Sequence, residues 1–240
     1  MHVIQNPAAC LQPRARLRVT GSDAKTLLQG QLTCDLNSIA EGTSSLAAHC
    51  NASGKIISLF QVSKEGETWH LDMVPEMIPL TLAALQKYAV FYKQLRIDAA
   101  EDITLQAIDR LAEIRALFPA IYPETSGLFF CHELNLTALG AISFDKGCYT
   151  GQEIIARMHY RGKSKAGLLH AVLQSDRSPH RADDIFRSGH KPCGKIIDHV
   201  SPAPGYHEML ITAPIDCGDT IYLDGDCTLP LKHYAPGSIP

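Results

Sequence analysis

"KGCYTGQEIIARMHYRGKSK", residues 146–165, places a cysteine, Cys148, between Gly147 and Tyr149, just ahead of a segment with helical spacing. Thr150 and Glu153 match a Thr-x-x-Glu capping box. That pattern predicts a helix through "IIARMHY", with Ile154, Ile155 and Met158 on its buried side. A thiolate ahead of such a helix would feel the positive end of the helix dipole and the charge of Lys146, with Glu153 working against both. Gly147 and Gly151 allow close backbone approach to a ligand, and N–H groups at a helix start suit a carboxylate or phosphate. Two readings of Cys148 stay open on the residues alone: an accessible, partly activated thiol, or a small residue filling a tight turn. Arg157, Arg161, Lys163 and Lys165, with His159, form the densest basic cluster of the chain. It suits a polyglutamate tail or RNA phosphates, and equally a solvated face. "GKS" at 162–164 lacks the glycine a phosphate loop needs five residues earlier, where Arg157 stands.

Upstream, "ARLRVT" alternates like a short strand, and Gly21-Ser22-Asp23 leads into a helix carrying Leu27 and Leu28. "SSLAAHC" and "KIISLFQV" read as strands joined by the turn "NASG", and "KEGE" joins the second to "TWHLDM". Pro79 opens a helix that carries Leu82, Leu85, Tyr88 and Ala89 at helical spacing. "FYKQLRID" and "ITLQAID" read as further strands. Pro119, Pro123 and Gly127 make residues 111–137 an irregular connector with a short helix, and "GAISFDKGC" is strand-like. From Ala166 the pattern changes to short apolar runs split by Pro and Gly: "GLLHAVL", "GKIIDHV", "EMLITA" and "TIYLDG". Such spacing predicts a small antiparallel barrel or sandwich. The expected division is therefore 1–165 and 166–240, and the expected class is α+β: an antiparallel sheet with helices, then a small C-terminal β-barrel.

Composition narrows the function classes. The chain has 240 residues, 45% of them apolar, and a net charge of −3, so only a local patch could bind a polyanion. No apolar run is long enough for a membrane span, and "MHVIQNPAACLQPRARLRV" lacks the pattern of a secretory leader. The eight cysteines include no Cys-x-x-Cys pair, which argues against zinc ribbons and thioredoxin-like chemistry. Reduced thiols in a cytoplasmic protein are the expectation. His190 and Cys193 have metal-ligand spacing without a second pair, so no metal is expected. Trp69 is expected to pack in the meander. His49 and Cys50 resemble a dyad, but neighbours on a regular strand face opposite ways, so both are read as structural.

Lys146-Gly147-Cys148-Tyr149-Thr150-Gly151-Gln152-Glu153 resembles the signature of the YgfZ family, relatives of the glycine-cleavage T-protein, an aminomethyltransferase. "IIARMHYRGKSK", "LNLTALGAISF", "VTGSDAKTLLQGQLTCDL", "AAHCNASGK" and "KYAVFYK" fit in the same order, so the resemblance covers about two thirds of the chain. It implies a ring-like, T-protein-like fold that binds tetrahydrofolate, and a role in the assembly or repair of iron–sulfur clusters, including those of a tRNA-modifying enzyme. The implied partners are folate, iron–sulfur enzymes or cluster-assembly proteins, and tRNA more weakly; no membrane is implied. Cys148 carries over as the active thiol. Lys146, Gly147, Tyr149, Gly151, Gln152, Glu153 and Arg157 carry over as folate-facing, with Gln29, Gln31 and Asn51 from the matching upstream blocks. Two departures stand out: the stretch between "ITLQAIDR" and "ALFPAIYPETSG" is shorter than in relatives, and Leu117-Phe118-Pro119 replaces a Gly-hydrophobic-Pro. The alternatives are folate-dependent aminomethyl transfer and an RNA-binding module. T-proteins carry Gly-Gly and an acidic residue where this chain has "NASGKIISLFQV", and they lack the cysteine, which favours the YgfZ side.

Overall fold

The computed structural model describes residues 10–100, 106–162, 166–187, 190–214 and 220–234. The chain forms two compact units, residues 13–106 with 121–163, and residues 1–12 with 107–120 and 164–240. The C-terminal barrel thus gathers an earlier segment, 107–120, into its own unit.

The first unit is built on a five-stranded antiparallel sheet. Its strands are β2 (Ala15–Thr20), β3 (Ser44–Cys50), β4 (Ile56–Glu65), β5 (Thr68–Met73) and β6 (Arg96–Ala99), in the order β3-β4-β5-β2-β6. Alternation explains the faces: Ala47 opposite Phe60, Val62 opposite Leu71, and Leu71 opposite Leu17 are all buried, and they share one side of the sheet. Helix α1 (Ala24–Gln31) buries Leu27 and Leu28, and α2 (Ile78–Ala89) buries Thr81 and Leu85. Thr81 donates to the buried Ser58 hydroxyl at 2.8 Å, which fixes α2 on β4. Trp69 is buried, with the Lys64 ammonium over its ring. The strand expected over "FYKQLRID" is confined to β6, because α2 runs to Ala89 and Val90 and Phe91 are exposed beyond it.

The second unit holds a closed six-stranded barrel: β8 (Ala166–Gln174), β9 (Asp184–Arg187), β10 (Lys191–Ala203), β11 (Tyr206–Pro214), β12 (Ile221–Tyr222) and β13 (Pro230–Tyr234). Every second residue points inward, Leu169, Ala171 and Leu173 from β8 and Met209, Ile211 and Ala213 from β11. β1 (Leu11–Gln12) pairs with β7 (Ile108–Asp109), and α3 (Arg110–Arg115) follows, capped by Asp109. Two buried carboxylates hold α3 to the barrel. Asp198 receives Arg110 and Arg181, and Glu208 receives Arg115 and His170. The Arg110 and Arg115 pairings, 88 and 93 residues apart in sequence, explain why 107–120 belongs with the barrel. Most of the expected strand "ITLQAID" lies in 101–105, outside the described residues.

Candidate functional site: the Cys148 loop

The segment 142–151 is not a strand. It runs as a bent loop tied at Ser143, whose N–H donates to the Thr33 carbonyl. Thr33 is itself stitched to β3, donating its N–H to Ala48 O and receiving Ala48 N–H on its hydroxyl, which donates in turn to Ala141 O. The loop therefore rests on a segment, 32–34, already fastened to the sheet.

Lys146 turns inward from this loop. The residue is 9% exposed, and its ammonium donates to Leu32 O at 2.9 Å and Cys34 O at 2.7 Å. It also stands 5.1 Å from the centre of the Tyr149 ring. Burial lowers its pKa from 10.5 to about 8, against smaller upward pulls from Cys34 and Asp35. Burial likewise pushes the Cys34 thiol up to about 11. Tyr149 is buried, and its hydroxyl has no partner among the described residues. Burial raises its pKa, with Cys131 and Cys50 adding to the rise. Those two thiols are themselves buried, Sγ to Sγ 3.6 Å apart, which with burial holds Cys50 firmly in the thiol form.

Between these two anchors Cys148 is exposed. Of the seven cysteines among the described residues, Cys10, Cys34, Cys50 and Cys131 are buried and Cys193 and Cys227 half-buried. The ten-residue helix α4 (Gln152–Arg161) begins after it, but not with the expected capping box. The N-cap is Gly151, with φ +83° and no side-chain cap. Thr150 instead donates its hydroxyl to Gln31 Oε1 at 3.1 Å and its N–H to Gly30 O. The cause is tertiary. A Cβ on Gly151 would lie 2.7 Å from Asn51 O and 3.2 Å from Gly54 Cα, so the backbone must pass close over the hairpin turn in a left-handed conformation. Gly54, at φ +78°, faces it and leaves room for Ile154. Ile155 is buried, while Ile154 and Met158 are half-buried.

The expected ligand residues separate into two groups. Gly147, Glu153 and Arg157 are exposed beside Cys148 and α4, and Gln152 is half-exposed. Lys146, Tyr149, Gly151 and Gln31 are brought to the same loop but are occupied in holding it. Asn51 accepts from Ser53 and Lys55 N–H, shaping the turn under Gly151. Gln29 is not part of the loop; it donates to Asp35 and accepts from Leu36 N–H. Arg161 and His159 are exposed, and His159 stacks on Phe144 at 4.0 Å with Tyr160 edge-on. Lys163 and Lys165 lie outside the described residues. No cluster of metal-ligating residues exists among the described residues, and no described helix is long and apolar enough to cross a membrane. The Cys50–Cys131 pair had no sequence signal: the two are 81 positions apart.

No protein-family model matches the chain. An uncharacterised protein of Haemophilus influenzae is 33% identical over 208 residues, covering 70% of this chain and 74% of that protein. The tRNA-modifying protein YgfZ of Colwellia psychrerythraea is 27% identical, covering 79% of each chain. That of Aliivibrio fischeri is 28% identical and covers 91% of this chain and 86% of the relative. Its alignment spans 282 positions, more than the 240 residues here, so this relative carries residues without a counterpart in the chain. Among solved structures, the glycine cleavage system aminomethyltransferase T of Bartonella henselae superposes with a TM-score of 0.70 at 12% identity, over 94% of this chain and 85% of that one. The signature residues are assembled on one loop, the sheet-plus-barrel architecture is that of the T-protein, and the sequence relatives that carry a name are YgfZ proteins: the chain is a relative of the YgfZ proteins with the T-protein fold.

Proposed function

We propose that this chain is a YgfZ-type factor that binds tetrahydrofolate and supports the assembly or repair of iron–sulfur clusters, and through them tRNA modification, with Cys148 as its working thiol. The observation that carries this is the presentation of Cys148: an exposed thiol on a loop whose neighbours on both sides, Lys146 and Tyr149, are buried. A thiol held out so firmly suits contact with a partner's cluster or with a cluster-assembly protein in the cytoplasm. The naming of relatives as tRNA-modifying proteins supports the same reading.

Tetrahydrofolate is the implied ligand, and the free residues beside the loop fit its anionic tail. The start of α4 has no side-chain cap, which leaves N–H groups for a carboxylate. Exposed Arg157 offers a bidentate partner for a second one. A Cβ at Gly147 would meet nothing within 4 Å, so a ligand can approach there. Gln152 and Glu153 would line the approach, while Lys146, Tyr149, Gly151, Gln31 and Asn51 position the loop.

An anaerobic calorimetric titration with tetrahydrofolate tests the ligand, with micromolar binding expected and no binding removing the folate role. Cys148→Ser tests the thiol: it should fold and bind folate, yet fail to restore cluster-enzyme activity in a deletion strain. Full rescue by that variant removes the thiol role. A second reading rests on the stacked Phe144–His159 pair with Tyr160, beside Arg157 and Arg161, an aromatic and basic face suited to RNA. It predicts tRNA affinity that falls steeply with salt.

A further inference from the structure

A pocket of about 380 Å³ opens between α2 and the β3–β4 hairpin in the first unit. Its size is that of a small-molecule site. Leu80, Ala83, Ala84 and Lys87 form its helical wall, at the i, i+3, i+4, i+7 spacing of a single helix stripe. The two alanines leave the space open. Lys146, Cys148, Tyr149 and Gly151 do not line it, whereas Asn51, which shapes the turn under Gly151, does.

His49 lines the same pocket. It is 2% exposed, and neither ring nitrogen has a hydrogen-bond partner among the described residues. A buried polar ring with both nitrogens unbonded is costly and calls for a partner. The irregularity in β3–β4 pairing between His49 and Cys50 explains why both adjacent residues line one pocket, against the alternation expected of a regular strand. Tyr88 stands edge-on to the imidazole, ring centres 6.2 Å apart. Burial, with the nearby charge of Lys87, lowers the His49 pKa to about 4, so at neutral pH the ring offers one donor and one acceptor. Lys87 is the cation that lines the pocket, and its charge is felt at His49.

We propose that this pocket is a binding site, separate from the Cys148 loop, for a flat and mainly apolar molecule carrying one carboxylate, with His49 as its hydrogen-bond partner and Lys87 as its counter-charge. Leu80, the alanine stripe and the Tyr88 ring supply apolar walls for the body of the ligand. The carboxylate completes the donor of His49 and meets the Lys87 ammonium.

The test uses the full chain, labelled at histidine with ¹⁵N, and 2-naphthoate as the probe, with 2-naphthalenemethanol as its neutral counterpart. Saturable shifts of the His49 ring signals are expected with the acid. The bound carboxylate should also raise the His49 titration above about 4, because it stabilises the imidazolium. Lys87→Ala, at an exposed helical position, should fold and weaken the acid by about tenfold or more, the scale of a lost charge-assisted bond. No saturation, equal affinity for acid and alcohol, or an unchanged affinity in Lys87→Ala overturns the proposal. Tetrahydrofolate added to the saturated sample should leave the naphthoate signals in place. Displacement would make the pocket the folate site and overturn its separateness. Failure of tetrahydrofolate to bind at all would count against the folate reading and leave this one standing.

Discussion

Lys146→Met keeps the length and bulk of the side chain and removes its charge. Two effects oppose each other. The ammonium donates to two buried carbonyls, Leu32 O and Cys34 O, and hydrogen bonds to a charged group contribute about 1.5–3 kcal/mol each. Burial of the charge costs stability, and that cost appears as the fall in pKa from 10.5 to about 8. At 1.36 kcal/mol per pKa unit the fall corresponds to about 3 kcal/mol. The sign follows from proton counting. Between pH 8 and 10.5 the unfolded chain keeps the proton that the folded chain has released, so stability rises with pH across this window. Below pH 8 the full cost is present. Urea unfolding of both proteins from neutral pH to pH 10.5 reads the balance, since subtracting the variant's curve removes other groups common to both. At neutral pH the variant should be less stable by up to about 3 kcal/mol, because two carbonyls lose their donor while one charge is no longer buried. The stability of the parent relative to the variant should then climb by about 3 kcal/mol by pH 10.5. A flat difference curve refutes the burial of a charged Lys146.

Gly151→Ala forces a Cβ to within 2.7 Å of Asn51 O at φ +83°, and should cost at least about 2 kcal/mol; an unmoved urea midpoint contradicts the close passage. Brief treatment with N-ethylmaleimide, read by peptide mass mapping, should label Cys148 well before Cys34, Cys50 or Cys131; early label on any of those three contradicts their burial. Burial pushes Glu208 up, but its bonds to His170 and Arg115 prevail and bring its pKa down to about 2. Its contribution is present above the ordinary carboxylate value and lost as pH falls from about 4.5 toward 2, so Glu208→Gln should flatten that part of the acid-unfolding curve; an unchanged acid limb counts against the pairing. Arg110→Met strips one partner from Asp198, which is fully buried, and should lower stability by about 3–5 kcal/mol by urea unfolding; a loss under about 1 kcal/mol contradicts the role of this pair in holding α3.

The strands and helices were legible wherever one periodic face met the core. "SSLAAHC", "KIISLFQV" and "TWHLDM" became β3, β4 and β5, and the four apolar runs after Ala166 supplied barrel strands. Legibility failed where a distant contact overrode a local rule. Thr150 and Glu153 spell a capping box, yet Thr150 bonds to Gln31, 119 positions away, and the helix starts from a left-handed glycine. "GAISFDKGC" has the apolar content of a strand, but its backbone bonds to the turns at Leu136 and Thr137 and to Thr33 rather than forming a ladder with a neighbouring strand. The allegiance of 107–120 to the barrel rests on Arg110 and Arg115 finding Asp198 and Glu208, which no local pattern announces. At the loop, a lysine in a binding motif reads as a ligand contact, and only the fold shows Lys146 bonded to carbonyls.

That difference changes what the eight-residue signature specifies. Lys146 is a buried strut between the loop and residues 32–34, Tyr149 a buried ring whose hydroxyl is influenced by the Cys50 and Cys131 thiols, and Thr150 a tether to α1. Gly151 is the residue that lets α4 start against the hairpin turn. Four of the eight positions therefore fix the backbone, and Cys148 is the thiol they leave facing solvent. A motif selected only for folate contact would not need a buried ammonium or a left-handed glycine. A motif that must hold one thiol outward at a fixed place needs both, because an exposed loop without such anchors would let the sulfur wander over several ångströms. On this reasoning the anchors and the thiol are separable. Changing Cys148 should leave stability near the parent value, since its side chain is exposed, whereas changing an anchor should lower stability and thiol function together. A Cys148→Ser chain that unfolds as readily as Lys146→Met would mean that the cysteine is itself part of the scaffold.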